Sequence, residues 1–255
     1  MGDGGTRCAV VTGASSGIGA ATARRLGRDG WHVLVVARRA ERLEALAREL
    51  PDASVLAVDL TDDDAPARVR AAVDDRLGAV QLLVNNAGHA ENAYFGDARR
   101  GGWENVRRTM ELNFNAGVRL TEALLPLLRT SAPSSIVNVA SMLARVTFLR
   151  TGAYAASKFA LAGWSEALRA EERKHGVHVG LVLPGFIETE GFPHTELRGN
   201  PATRWFVGKP HAVAAAIVDA GPGGSAERVV PRYYGAVPLL RALFPPIVRA
   251  VTARG

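Results

Sequence analysis

The sequence predicts an α/β fold in which a parallel sheet carries helices on both faces, and three observations lead there. Apolar, β-rich runs alternate with stretches of helical periodicity about six times along the 255 residues. Those runs are nearly continuous in apolar residues, the pattern of strands buried on both sides. A glycine-rich turn, Gly13-x-x-x-Gly17-x-Gly19, separates the first run from the first helical stretch. Strand–helix–strand units within one sheet cross over right-handedly, so repeated alternation makes neighbouring strands parallel.

The first strand is "CAVVT", which passes through the glycine turn into "GIGAATARRLGRDG". "WHVLVVA" is the second strand, and "AERLEALAREL" repeats leucine at helical spacing after it. "SVLAV" and "DAPARVRAAVDDRLG" form the next strand and helix. "AVQLLVN" is the fourth strand, followed by an irregular stretch, residues 88–103, and the long helical pattern "WENVRRTMELNFNAGVRLTEALLPLLR". "SSIVNVA" precedes the helical "AASKFALAGWSEALRAEERKHG", and "VHVGLVLP" and "ERVVP" are the last two strands. Between them lies a second irregular stretch, 190–207, rich in Gly, Pro, Thr and His. Irregular segments that follow strands of an open α/β sheet sit over the ligand crevice, so 190–207 is expected to form a substrate lid.

Composition bounds the rest. With 47% hydrophobic and 22% charged residues, the chain suits one soluble domain over 1–255, and no repeat or linker divides it. No apolar run reaches the roughly 18–20 residues of a membrane span. The opening "MGDGGTRCAV" has no signal-peptide core, so a cytoplasmic location is expected. Cys8 is the only cysteine, which excludes an intrachain disulfide, and the six histidines show no metal spacing. His89 and His194 fall in the two irregular stretches, within reach of a substrate. The net charge of +6 raises the question of nucleic acid, but the arginines are scattered and interleaved with glutamates. The positive field instead favours an anionic cofactor.

The glycine turn, with Ser15, Ser16 and Ile18 between its glycines, lets bare backbone approach a pyrophosphate at a helix N-terminus. An acidic residue after the second strand would accept the adenosine ribose hydroxyls of NAD. Arg38 stands there instead and suits the 2′-phosphate of NADP, while Arg39 either shares that task or simply begins a solvated helix. Only three of the 31 basic residues are lysine, and one of them, Lys158, lies one helical turn after Tyr154. Alone, that pair would be an ordinary feature of an amphipathic helix; Ser141, just past the fifth strand, gives it chemical meaning. A tyrosine titrates near pH ~10, and a cation about 4 Å away would lower that by about three units. Asn113 sits mid-helix, where asparagine forms helix poorly, which points to a task for its side chain.

Taken together, "TGASSGIG" (12–19), "NNAG" (85–88), Asn113, Ser141 and "YAASK" (154–158) resemble the short-chain dehydrogenase/reductase family, in its branch of about 250 residues, from about residue 6 to 235. The resemblance implies a single Rossmann-type doubly wound domain with a seven-stranded parallel sheet, as a homodimer or homotetramer. It implies that Tyr154 is the acid/base, that Lys158 holds the nicotinamide ribose and lowers the tyrosine pKa, that Ser141 polarises the substrate oxygen, and that Asn113 keeps a water in the proton relay. Asp59 and Leu60 would border the adenine, and Asn86, Ala87 and Gly88 would line the cofactor. Pro184, Gly185, Ile187 and Thr189 would meet the nicotinamide end. The expected activity is NADP(H)-dependent interconversion of a carbonyl and a secondary alcohol, with NAD(H) less favoured. Phe192, Trp205 and Phe206 favour an apolar substrate. The alternatives are a non-catalytic NADP-binding regulator, or a relative doing epimerisation or dehydration. The apolar tail, 236–255, is broken by Pro238, Pro245 and Pro246, which excludes a span. It is left to pack on its own domain, to contact another subunit, or to touch a membrane surface peripherally.

Overall fold

Because successive side chains on a strand point to opposite faces, Val10 and Val11 enter two different apolar layers, one on each side of the sheet. The computed structural model describes residues 6–190 and 207–252. Strand β1 (Arg7–Thr12) leads to α1 (Gly17–Arg28), β2 (Trp31–Ala37) to α2 (Ala40–Ala47), and β3 (Ala53–Ala57) to α3 (Ala65–Arg76). After β4 (Leu82–Asn85) come α4 (Gly102–Met110), one π-helical turn (Glu111–Asn115) and α5 (Ala116–Thr130), with no residue between them. β5 (Ser134–Val139) leads to α6 (Gly152–Glu172), and β6 (Val177–Pro184) precedes α7 (Pro210–Ala220). β7 (Glu227–Val230) is followed by two short helices, α8 (Ala236–Leu243) and α9 (Pro245–Thr252).

Among the described residues the seven strands form one sheet, ordered β3-β2-β1-β4-β5-β6-β7, and every pairing is parallel. This is the seven-stranded, doubly wound sheet the sequence predicts. Central strands β4 and β5 are buried along their whole length, whereas edge strands β3 and β7 are only partly covered. One layer packs Ala23 and Leu26 of α1, Leu43 and Leu46 of α2 and Ile217 of α7 against Val11, Val35 and Val84. The other packs Val69 and Val73 of α3, Leu120, Leu124 and Leu128 of α5 and Leu168 of α6 against Val10, Leu34, Leu83 and Ile136. Each fully buried leucine contributes about 2 kcal/mol through the apolar surface it removes from water.

The chain leaves β1 toward β2 and β3, then returns to lay β4 on the other side of β1. That reversal opens a crevice beyond the carboxyl ends of β1 and β4, where an open α/β sheet binds its ligand. The glycine turn and residues 86–88 both follow these strand ends. Of the expected lid, only Glu190 and Val207 fall within the described residues; Phe192, His194, Trp205 and Phe206 lie outside them.

Candidate active site

Backbone is bared where β1 meets α1. Gly13 holds a left-handed φ of +65°, and a Cβ there would come within 2.9 Å of the Asn86 amide nitrogen and 3.0 Å of Ala87 Cα. A Cβ on Gly19 would strike the Gly13 carbonyl oxygen at 2.3 Å. Thr12 staples the two strand ends: its hydroxyl donates to the Val84 carbonyl at 3.1 Å and accepts from the Asn86 and Ala87 N–H groups at 2.9 and 3.0 Å. Asn86 returns a bond to the Thr12 carbonyl at 2.9 Å. Ser16 precedes α1 without capping it through its side chain, so the first-turn N–H groups are left for an anion, which the helix dipole also favours. A pyrophosphate therefore fits this cradle, which a side chain at Gly13 would distort by colliding with Asn86 and Ala87.

A cleft of about 520 Å³ runs from this loop across the sheet edge. Gly13, Ser16, Gly17 and Ile18 form one wall, and Asn86, Ala87 and Gly88 form the floor. Ser141, Tyr154 and Lys158 stand on the far side, with Pro184, Gly185, Ile187 and Thr189 beside them. A smaller recess of about 170 Å³ adjoins it and is lined by Ser15, Arg38, Arg39, Asp59 and Leu60. Of the expected cofactor residues only Gly19 lines neither space; its place is behind the loop, against Gly13.

The two arginines after β2 differ. Arg38 is 71% exposed at its side chain and lies 3.5 Å from Asp59. Partial burial opposes ionisation of Asp59, but hydrogen bonds from Thr61 and the nearby Arg38 hold its carboxyl below the usual range. Arg39 reaches the glycine loop: its guanidinium donates to Ser15 Oγ at 3.1 and 2.9 Å and to Ser16 Oγ at 2.9 Å. Arg39 also stands at the start of α2, so its backbone begins that helix while its guanidinium lies on the loop.

Tyr154 and Lys158 share the inward stripe of α6, in helical register with Leu161, Ala162 and Ser165. That position explains why the lysine is only 3% exposed. Its Nζ donates to the Val139 carbonyl, at the end of β5, at 3.0 Å, and lies 5.6 Å from the Tyr154 ring centre. Desolvation lowers the Lys158 pKa to about 8. Burial pushes the Tyr154 phenol above its ordinary value, and a hydrogen bond with Ser141 pulls it part of the way back. The sequence-based physics places the lysine charge about 4 Å from the phenol; in the structure that charge is engaged with Val139, and desolvation dominates the tyrosine. Ser141 Oγ also accepts from the Leu143 N–H at 3.1 Å, which fixes the serine at the start of a short 3₁₀ turn.

Asn113 does not sit in regular α-helix, as the sequence suggests, but in the π-helical turn between α4 and α5. Such a turn inserts one extra residue and re-aims a side chain, and it recurs at functional sites. The Asn113 amide donates to the His89 carbonyl at 2.9 Å and to Ser157 Oγ at 3.1 Å, and its oxygen accepts from the His89 N–H at 2.8 Å. It thus ties the segment after β4 to α6, and Gly88 lies directly over it: a Cβ there would be 3.1 Å from Asn113 and 3.4 Å from Lys158 Nζ. His89 lines the cleft. Among the described residues no group of His, Cys, Asp or Glu could hold a metal ion. Sequence reasoning does not single out the Thr12 staple, the Val139 carbonyl or Glu190 at the cleft edge. Thr12 alone carries a local signal, as the hydroxyl residue that opens the glycine turn.

A doubly wound parallel sheet, a backbone cradle at its switch point and, opposite, a tyrosine with a buried lysine one helical turn on define an oxidoreductase of the kind that works with a nicotinamide dinucleotide. The family model for short chain dehydrogenase matches residues 7–197, and the chain belongs to that family. It is 38% identical over 182 residues to serine 3-dehydrogenase of Agrobacterium fabrum, covering 71% of this chain and 72% of the relative. It is 34% identical over 196 residues to a fatty acyl-CoA reductase of Acinetobacter baylyi, covering 75% and 66%. A crystal structure of a short-chain dehydrogenase from Streptomyces avermitilis superposes with a TM-score of 0.79 at 31% identity and 98% coverage of both chains.

Proposed function

We propose that this chain is an NADP(H)-dependent oxidoreductase that interconverts a carbonyl and a secondary alcohol on an apolar substrate. One observation carries the reading: a single cleft joins the glycine cradle to Ser141, Tyr154 and the buried Lys158. The nicotinamide, when bound, supplies or accepts the hydride at the substrate carbon. Tyr154 gives its phenolic proton to the carbonyl oxygen in reduction and takes it back in oxidation. Ser141 holds the same oxygen in place. Lys158, held by the Val139 carbonyl, donates to the ribose. Asn113 fixes the backbone at His89 and the start of α6, so that these groups keep their positions.

Gly13, Ser15, Ser16, Gly17 and Ile18 take the pyrophosphate, with Gly19 giving the turn its room. Asn86, Ala87, Gly88 and the segment from Pro184 to Thr189 flank the cofactor, and Asp59 and Leu60 border the adenine. NADP is favoured over NAD because arginines stand after β2 where an acid would select NAD, and Arg39 already lies on the loop serines. The relatives' names range from a serine to a fatty acyl-CoA substrate, so the apolar preference rests on the chain's own residues. Tyr94 and Phe95 are exposed in the stretch after β4, and Phe192, Trp205 and Phe206 lie in the 190–207 segment. A cytoplasmic homodimer or homotetramer completes the proposal.

The test is NADPH oxidation over a panel running from polar hydroxy-acid ketones to apolar cyclic and long-chain ketones. Turnover concentrated at the apolar end is expected. Tight NADPH binding with no turnover on any member would favour the non-catalytic regulator instead.

A further inference from the structure

The segment that leaves β6 passes over the glycine loop and brings Glu190 onto two arginines of the β2–α2 corner. Thr189 lies over the loop, where a Cβ on Gly17 would be 3.0 Å from its methyl group. The next side chain, Glu190, accepts from Arg42 at 2.7 and 2.6 Å through its two oxygens and from Arg39 at 3.3 Å. Arg39 holds Ser15 and Ser16 at the same time. Both arginines placed to receive a 2′-phosphate therefore already face a carboxylate, Arg38 that of Asp59 and Arg39 that of Glu190. The two carboxylates are not equivalent. Asp59 is fixed by Thr61 in its own turn, whereas Glu190 comes from the far end of the cleft, 151 positions away from Arg39 in sequence.

We propose that Glu190 is a specificity-determining residue for the cofactor: its carboxylate occupies Arg39 as an internal counter-anion that a 2′-phosphate must displace. The inference rests on the NADP reading above. The longer Arg39 contact is the one a phosphate takes over, because a bidentate guanidinium–phosphate pair is stronger than a single 3.3 Å contact. The shorter Arg42 contacts keep Glu190 nearby, so its negative charge continues to oppose the phosphate after exchange. An NAD adenosine lacks that phosphate and leaves the Glu190–Arg39 pair intact. Glu190 thus narrows a preference that the arginines alone would make steeper.

The experiment is calorimetric titration of NADPH, NADH, 2′-AMP and 5′-AMP into wild type, Glu190→Gln and Arg39→Ala, at one fixed ionic strength. Glu190→Gln removes the charge and keeps the shape of an exposed side chain, so folding is not in question. In that variant the Kd for NADPH and for 2′-AMP is expected to fall about three- to tenfold, with NADH and 5′-AMP unchanged. Arg39→Ala is expected to weaken only the 2′-phosphorylated ligands. Glu190→Gln that leaves the NADPH to NADH ratio unchanged, or weakens both alike, overturns the inference while a selective Arg39→Ala keeps the cofactor reading. Arg39→Ala without selectivity also overturns the inference, and wild type that binds NADPH no more tightly than NADH brings down the cofactor reading as well.

Discussion

Lys158 is a cation held on the apolar stripe of a helix, and that placement has a price in solvation which shows as a pKa near 8. The sign of the consequence is fixed. Below about 8 the native lysine keeps its proton, and as pH rises through that value the charge offered to a ribose hydroxyl is lost. NADPH affinity of the wild type is therefore expected to decline between pH 7 and 9, while Lys158→Met binds weakly and without that decline. Fluorescence titration of the cofactor across this range measures it, and a flat wild-type profile would remove the lysine from cofactor binding. Tyr154 gives the complementary expectation. Tyr154→Phe removes one hydroxyl and little packing, so turnover is expected to fall by at least 10²–10⁴-fold with NADPH affinity nearly intact. Stopped-flow reduction that survives in Tyr154→Phe would take the proton-donor role from this residue. The pair is legible in the sequence because helical spacing fixes which side chains share a face. The lysine's bond to Val139 is not, since it depends on where β5 ends relative to α6.

The strands are the most legible elements, because a parallel strand buried on both faces must be apolar at nearly every position, as β1 and β6 are. The π-helical turn at Asn113 is not legible. "MELNFNAG" contains nothing that breaks a helix before its glycine, and only in the folded chain do α4 and this turn come against α6. The arginine corner is likewise hidden, since Glu190 meets Arg39 and Arg42 only after the whole sheet has formed. The glycine turn lies between these cases: spacing shows a turn, but only the structure separates Gly13, which lines the cleft, from Gly19, which supports it. Gly19→Ala should force the loop off Asn86, since its Cβ would lie 2.8 Å from that amide nitrogen as well as 2.3 Å from the Gly13 carbonyl. Loss of NADPH binding by at least tenfold and a lower Tm are expected, by calorimetry. Gly163→Ala is the control within α6: no atom lies within 4 Å of its Cβ, so the change should stabilise the helix by about 0.5–1 kcal/mol. If the two substitutions had equal effects, the loop would not be the close-packed cradle described.

At the scale of the molecule, the tail is where the domain's own core and its outer surface meet. Pro238 falls in the first turn of α8 and Pro245 opens α9, so the prolines that break a long helix instead begin two short ones. Among the described residues no helix is long and apolar enough to cross a membrane. One face of α8 is docked: Val237 packs on the cluster of Ala140, Met142, Leu161 and Leu183, and the Arg241 guanidinium lies 5.4 Å over the Phe159 ring and donates to the Arg145 carbonyl. The other face is bare, with Leu239 65%, Leu240 50%, Leu243 70% and Phe244 51% exposed. These two faces ask for two different experiments. Deleting residues 236–255 removes the docked face, and Tm is expected to fall by roughly 2–8 °C, since about 1–2 kcal/mol of apolar and cation–π contact is lost. The double change Leu240→Ser and Leu243→Ser touches only the bare face, so Tm should hold while light scattering reports a smaller oligomer if a second subunit covers it. An unchanged size together with lost sedimentation on anionic vesicles would assign that face to a lipid surface instead. A truncation that moves neither Tm nor size would mean that the docking of Val237 and Arg241 contributes nothing to the folded state.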